Sequence, residues 1–316
     1  MTLPTSPTAD FTLPQNQRWP PLPLAEWQPT RDTLHLWTQI VGKLKIALAP
    51  FQNQLWHTSL ALTARGLTTG PLPYRGGVLQ ADFDFHDHHL RLLCGDGRSQ
   101  TVSLHPRSVA DFYADVMHRL DLLGVTAQIN PLPQELPAPI PFDQDTIHAS
   151  YDPDAARRWW QIMTSAATVM WRQRSWFVGK ASPVHFFWGS FDLTATRHNG
   201  EPAPPHPERG YIYRVAENEA NWAAGFWPGS GAVDYPAFYA YMVPQPDGMP
   251  AAAIAPGAAF WHEEMREFLL PYDAVRTEAD PEATLMAFLQ SSYAACADLA
   301  EWNRAALEIT EIPRPR

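Results

Sequence analysis

The chain has 316 residues, 45% of them hydrophobic and 12% aromatic, and sets 23 Lys and Arg against 33 Asp and Glu. That apolar content supports a folded core and excludes a disordered chain, even with 32 prolines, about twice the usual ~5% share. A formal charge of −10 with no long basic run excludes a phosphate-neutralising nucleic-acid surface, and two isolated cysteines, Cys94 and Cys296, exclude a disulfide framework or zinc knuckle.

Residues 1–18 carry neither a basic region nor an apolar core of the secretory type, so they read as a flexible N-terminal segment. The longest small-apolar run, AAAIAPGAAFW, is too short and proline-broken to span a bilayer, which gives the expectation of a cytoplasmic protein without membrane contact. After Asp32, the residues Leu34, Trp37, Ile40, Val41, Leu44 and Leu48 recur at helical spacing until Pro50 ends the run. HTSLALTARGLTTG predicts a strand, and VLQADFDFHDHHLRLLCGDG predicts a hairpin that closes at Asp96-Gly97. SVADFYADVMHRLDLLG, with Phe112, predicts an amphipathic helix that completes a first half over 19–130.

A Pro-rich connector over 131–142 follows, and the same order then recurs over 143–308. Asp152-Pro153 predicts a helix start, and Trp159-Gln161-Ile162 match Trp37-Gln39-Ile40. HFFWGSFDLTATRHNG predicts a strand sharing Leu-Thr-Ala and a following arginine with the first half, Arg197 answering Arg65. AFYAYMVPQPDG predicts another strand, and TLMAFLQSSYAACADLA a closing helix with Phe288 in the place of Phe112. The expectation is an internally duplicated α+β fold: a helix, antiparallel strands and a helix, made twice, with the two halves packed about one cleft.

Taken as one extended strand, residues 183–197 put Trp188, Ser190, Asp192, Thr194 and Thr196 on one face and His185, Phe187, Phe191 and Leu193 on the other. On that basis Ser190 and His185 stand roughly 16 Å apart and form no dyad. An aspartate beside a tryptophan is partly desolvated, which raises its pKa and suits it to accept a proton. Trp188, Asp192, Arg197, Trp227 and Tyr239 or Tyr241 are expected around one pocket, with Ser190 beside them and Arg197 as an anion anchor. His86, His88 and His89 sit where a hairpin turn is predicted, so solvent exposure without metal is expected of them. WHEEMRE lacks the second histidine of a zincin, and GFWPGSG lacks the lysine and hydroxyl of a phosphate loop.

KASPVHFFWGSFDLTATR, AGFWPG and FYAY, with TLHLWTQIVGKLKIALAP and ARGLTTGPLPY, make the chain resemble a bacterial family catalogued as domain of unknown function 5996. The resemblance covers about Trp19 to Glu308 and implies no activity, cofactor or catalytic residue. In the family's pattern Ser-His-Glu stands shortly before Gly-Phe-Trp-Pro-Gly. Here Glu217-Asn218-Glu219-Ala220 occupies that stretch, leaving Glu219 as the nearest substitute for the histidine.

The residues thus suggest an enzyme acting on a small organic molecule by acid/base chemistry, with Asp192 or Glu219 as base and His185 as partner. No cofactor is specified. A binding module that grips a small ligand or a protein with the same aromatics is the alternative, and a metalloprotein using His185 with distant carboxylates is a third.

Overall fold

The computed structural model describes residues 14–311 except 204–207, 209 and 232. Two helices open the chain: the short α1 (Gln15–Arg18) and the 25-residue α2 (Leu24–Leu48). The second begins ten residues before the predicted start and carries Pro29 as its sixth residue. A 3-10 turn (Asn53–Thr58) leads into β1 (Ala61–Leu62), β2 (Gly66–Thr68), β3 (Leu72–Tyr74), β4 (Gly77–Asp84), β5 (His89–Cys94) and β6 (Ser99–Ser103). Ser108 caps α3 (Val109–Leu122) through the Asp111 N–H, and Asp152 caps α4 (Pro153–Arg174) with Pro153 in the first turn, as the sequence predicts.

Strands β7 (His185–Phe187) and β8 (Asp192–Pro202), helix α5 (Tyr211–Ala216), β9 (Glu219–Trp227), β10 (Ala237–Val243), β11 (Phe260–His262) and β12 (Glu267–Pro271) follow. The short α6 (Tyr272–Arg276), the Asp280-capped α7 (Pro281–Leu299) and the one-turn α8 (Arg304–Leu307) close the chain. The fold is α+β, with two antiparallel six-stranded sheets.

One sheet runs β1-β2-β4-β5-β6 with β3 on β4, and the other runs β7-β8-β9-β10-β12-β11. They meet edge to edge at Leu60 and Phe186, which exchange two backbone hydrogen bonds of 2.8 Å. Apart from the added β3 and β11, the serial order outward from that joint is the same on both sides. Phe112 of α3 and Phe288 of α7 are both fully buried. Common origin of the two halves is a proposal that this order supports.

The halves do not have separate interiors. Trp159 of α4 stacks on Phe191 at 4.7 Å and meets Phe85 of the first half edge-on at 5.7 Å. One hydrophobic cluster runs from Trp19 to Trp302. Nor is the whole of 1–18 a loose tail. Residues 1–13 lie outside the described residues, but Gln15 donates to the carbonyls of Arg276 and Glu278, and Arg18 pairs with Glu282.

The connector also departs from its expected role as a spacer. Helix α2 is apolar on most sides but carries Arg31, His35, Gln39 and Lys43 at four-residue intervals, all buried. Buried polar groups need partners, and these find them on backbone. Lys43 donates to the Asn130 carbonyl at 2.9 Å, and Gln39 both donates to the Gln134 carbonyl and accepts from the Gln134 N–H. The His35 ring bonds the Gly189 carbonyl, and Arg31 donates to that of Gly229. The stripe straps the connector across the second sheet.

The histidine cluster lies at the predicted hairpin, with His88 at φ +53 in the turn. Only His86 is exposed. His88 and His89 are half-buried, because His88 reaches the Tyr151 hydroxyl at 2.9 Å in the second half.

Candidate functional site

Alternation along the second sheet separates two faces. Pairing of Leu193 with Phe226 and of Arg197 with Trp222 puts Leu193, Ala195 and Arg197 against the buried apolar side under α4 and α7. Asp192, Thr194, Thr196 and His198 of β8 point the other way, with Trp227 of β9, Tyr239 and Tyr241 of β10 and Glu267 of β12. Two adjoining chambers open on that second face, of about 440 and 400 Å³, each of a size that suits a small organic ligand. Glu135, Gly189, Ser190, Asp192, Tyr239 and Tyr241 line both.

The first chamber follows β8 as far as His198 and is roofed by the 3-10 turn and α5. Its apolar wall includes Phe187, Trp188, Leu55 and Trp56, and exposed Ile46, Phe51, Tyr211 and Ile212 also line it. The second chamber adds Arg31, His35, Trp227 and Glu267.

Asp192 stands at the junction and is 7% exposed. Its carboxylate accepts short hydrogen bonds from the Ser190 and Tyr239 hydroxyls, and no cation pairs with it among the described residues. Burial pushes its pKa up, while the two hydroxyls, which favour the charged form, hold it down. Burial raises the Tyr239 and Tyr241 hydroxyls well above their ordinary range, so both remain donors. Tyr241 donates to Glu217 at 3.2 Å.

Burial also raises Glu135, and it pushes Glu267 up to about 8; the nearby Asp192 charge adds to both shifts. Since the folded pKa of Glu267 lies above its unfolded value, its contribution to stability is fully present below about 4.5 and is lost as pH rises through about 8. Glu267→Gln, which resembles the protonated acid, should therefore raise the melting temperature at pH 9 and leave it unchanged at pH 5. Equal shifts at both pH values in thermal denaturation would contradict the buried, proton-holding Glu267.

Backbone strain gathers here. Of seven non-glycine residues with positive φ among the described residues, Gln54, Leu55 and Glu135 line the first chamber, and Phe191 links Ser190 to Asp192. Such conformations persist only where the surroundings over-determine them.

The expected residues divide as follows. Asp192, Ser190, Tyr239 and Tyr241 meet at the junction; Trp188 lines the first chamber and Trp227 the second. His185 does not line either. Residues 188–191 form a turn, not extended strand, and β7 folds back to pair His185 with Thr194, which places it on the Asp192 face rather than the opposite one. Its Nδ1 lies 2.8 Å from the Ser59 hydroxyl, and burial lowers its pKa to about 3.

Arg197 is 5% exposed on the far side of the sheet. Its guanidinium sits 4.3 Å from the Tyr293 ring centre and 5.0 Å from that of Phe177, and it donates to the Gln173 carbonyl. Burial lowers it to about 10. Glu219 is paired with Lys180 and lies 3.9 Å from His198 Nδ1, outside the lining of both chambers.

His198 was not among the expected residues. It is 1% exposed, lines the first chamber, and has neither ring nitrogen hydrogen-bonded. Burial lowers it to about 4, so the ring is neutral near pH 7. Continuing the alternation from Asp192 through Thr194 and Thr196 by one more step reaches it. Among the described residues no group of three His, Cys, Asp or Glu could hold a metal ion, and no helix is long and apolar enough to cross a membrane.

An α+β chain with a desolvated carboxylate between two chambers is the class these observations define. It belongs to the family of unknown function DUF5996, whose model matches residues 19–309. No curated protein and no solved structure matches it.

Proposed function

We propose that the chain is an enzyme acting on a small organic molecule by acid/base chemistry, with Asp192 as the group that takes and returns the proton. The observation that carries this reading is the setting of Asp192: buried, without a counter-cation, held by two hydroxyls and bordering both chambers. A structural aspartate is ordinarily paired with a cation or with backbone N–H groups. This one keeps its pKa above the usual carboxylate range, nearer the neutral pH at which a general base is most effective.

Tyr239 and Ser190 fix its orientation and stabilise its charge between proton transfers. Glu219 and His185 do not border the chambers, so neither takes part in the step. Arg197 serves the fold. No observation favours the binding-module reading over this one, and no ligand set favours a metalloprotein.

The test begins with a thermal-shift screen of small metabolites against the wild-type protein. Each ligand that binds is then incubated with protein in D2O and followed by proton NMR. The expected result is deuterium incorporation or conversion with wild type, lost by at least about 100-fold in Asp192→Asn, the range general acid/base catalysis contributes. The variant should fold and melt within a few degrees of wild type. A ligand that binds tightly yet neither exchanges protons nor changes would make the chain a binding module.

A further inference from the structure

We propose that the second chamber receives an organic cation, with Glu135, Asp192 and Glu267 as its acidic wall and Trp227, Tyr239 and Tyr241 supplying aromatic faces. This rests on reading the chambers as a small-molecule site and names the class of molecule.

Charge accounting comes first. The cation lining this chamber is Arg31, which is paired with Asp32 through one nitrogen and donates to the Gly229 carbonyl through another. Its charge is therefore already matched. His35 is held neutral near pH 7, its pKa brought down to about 4 by burial. Three carboxylates are left facing the space. Asp192 is held by two hydroxyls and its own backbone N–H, with no cation, and neither Glu135 nor Glu267 has a side-chain hydrogen bond or ion pair among the described residues. Beyond burial, the Asp192 charge raises both glutamates further, so Glu267 keeps its proton near neutral pH and repulsion prevents the three from ionising together. A bound cation removes that repulsion.

The kind of cation follows from geometry. No three of these groups converge closely enough to hold a metal ion. A bulky, weakly hydrated ammonium needs no such convergence, since it takes charge at a distance and packs against rings. Trp227, Tyr239 and Tyr241 share the sheet face that bears Asp192, and the two tyrosine rings lie nearly parallel, 6.1 Å apart.

A second and independent sign of a ligand comes from the far end of the first chamber. His198 has two unpartnered ring nitrogens, and Gln54, 5% exposed, has an unpartnered Oε1. Where such groups line a cavity, water or a ligand completes them. Six residues of β8 separate Asp192 from His198, about 20 Å of strand at ~3.3 Å per residue. The molecule is accordingly an ammonium at one end, apolar against Trp188 and Phe187 in the middle, and hydrogen-bonding at the other end.

Hexyltrimethylammonium, 1-hexanol and hexanoate share one alkyl length and differ in charge. Calorimetric titration of the wild-type protein with each should show the ammonium binding roughly tenfold tighter than either control. Glu135→Gln and Glu267→Gln should each weaken the ammonium several-fold and leave hexanol binding unchanged. Hexanoate binding as tightly as the ammonium, or ammonium affinity retained in the folded double variant, would overturn the proposal. The three-probe comparison uses wild-type protein alone, so it decides the matter even if a variant fails to fold. Proton exchange found only in anionic or uncharged ligands would sink this inference and keep the acid/base reading. Ammonium binding with no exchange in any ligand would do the reverse.

Discussion

Gly42→Ala should destabilise the protein although it replaces glycine by the best helix former at an interior helical position. In helix α2 a Cβ at Gly42 would stand well under 3.0 Å from Cγ, Cδ1 and Nε1 of the Trp188 indole. That ring is 4% exposed, and its N–H donates to the Thr58 carbonyl at 2.7 Å, so it cannot swing aside as a surface chain would. Overpacking costs about 1–3 kcal/mol, and loss of the buried indole hydrogen bond adds about 1 kcal/mol. The gain in helix propensity returns only ~1 kcal/mol. A net loss of about 1–3 kcal/mol is expected in urea unfolding. Because Thr58 ends the turn that carries Gln54 and Leu55, ligand binding in the first chamber should weaken as well. A double-mutant cycle with Trp188→Leu isolates the contact. If Gly42→Ala costs the same in both backgrounds, the indole is not what the glycine accommodates.

The start of α4 and most of the alternation of faces were readable in the sequence because each rests on local chemistry. Asp152-Pro153 offers a cap oxygen and a ring that needs no N–H, and Tyr239 and Tyr241 follow from period-two spacing on their strand, whereas Trp227 was expected in a loop and ends β9. The face of His185 was not readable. Phe-Trp-Gly-Ser-Phe has the composition of strand, and the turn depends on Phe191 adopting φ +61, a conformation a phenylalanine takes only under tertiary compulsion. Arg197 was expected to anchor an anion in the pocket, but the same alternation that sets Asp192 on one face sets Arg197 on the other, so it cannot serve in the chambers.

The connector was opaque for a different reason. Its prolines describe a segment with few backbone donors but not what it lies upon. The clue was on the other strand of the argument, in α2, where Arg31, His35, Gln39 and Lys43 interrupt an apolar helix at regular intervals and require acceptors. Those acceptors are the carbonyls of Asn130, Gln134, Gly189 and Gly229. Glu135 reaches the site through that strap, and the Gln54 and Leu55 turn reaches it through Trp188. Chambers whose walls come from at least five separate stretches of chain leave no compact motif to find.

Gly225→Ala is expected to be strongly destabilising. On β9, Gly225 lies between Thr194 of β8 and Tyr239 of β10, and the phenol of Tyr239 crosses over it to reach Asp192. A Cβ there would meet the Leu193 carbonyl oxygen, which is backbone, as well as Tyr239 Oη at 2.5 Å and Cζ at 2.6 Å. Relief requires either opening the β8–β9 pairing or expelling the tyrosine, and expulsion leaves a buried carboxylate with Ser190 alone. Overpacking of about 1–3 kcal/mol and loss of a hydrogen bond to a charged group, about 1.5–3 kcal/mol, together predict a loss of about 3–5 kcal/mol. Tyr239→Phe separates the two contributions, since it removes the hydroxyl without the clash. The hydroxyl favours the ionised carboxylate, so its removal should raise the Asp192 pKa still further. With the folded pKa above the unfolded one, stability is lost as pH rises through the folded value, and the variant should lose more of it than wild type. The difference between Tyr239→Phe and wild type should thus be small in acid, where Asp192 carries its proton in both, and grow as pH rises through its folded pKa. A difference that does not change with pH in denaturant titrations would mean that Tyr239 does not bear on the charge of Asp192, and its role in stabilising that charge would have to be abandoned.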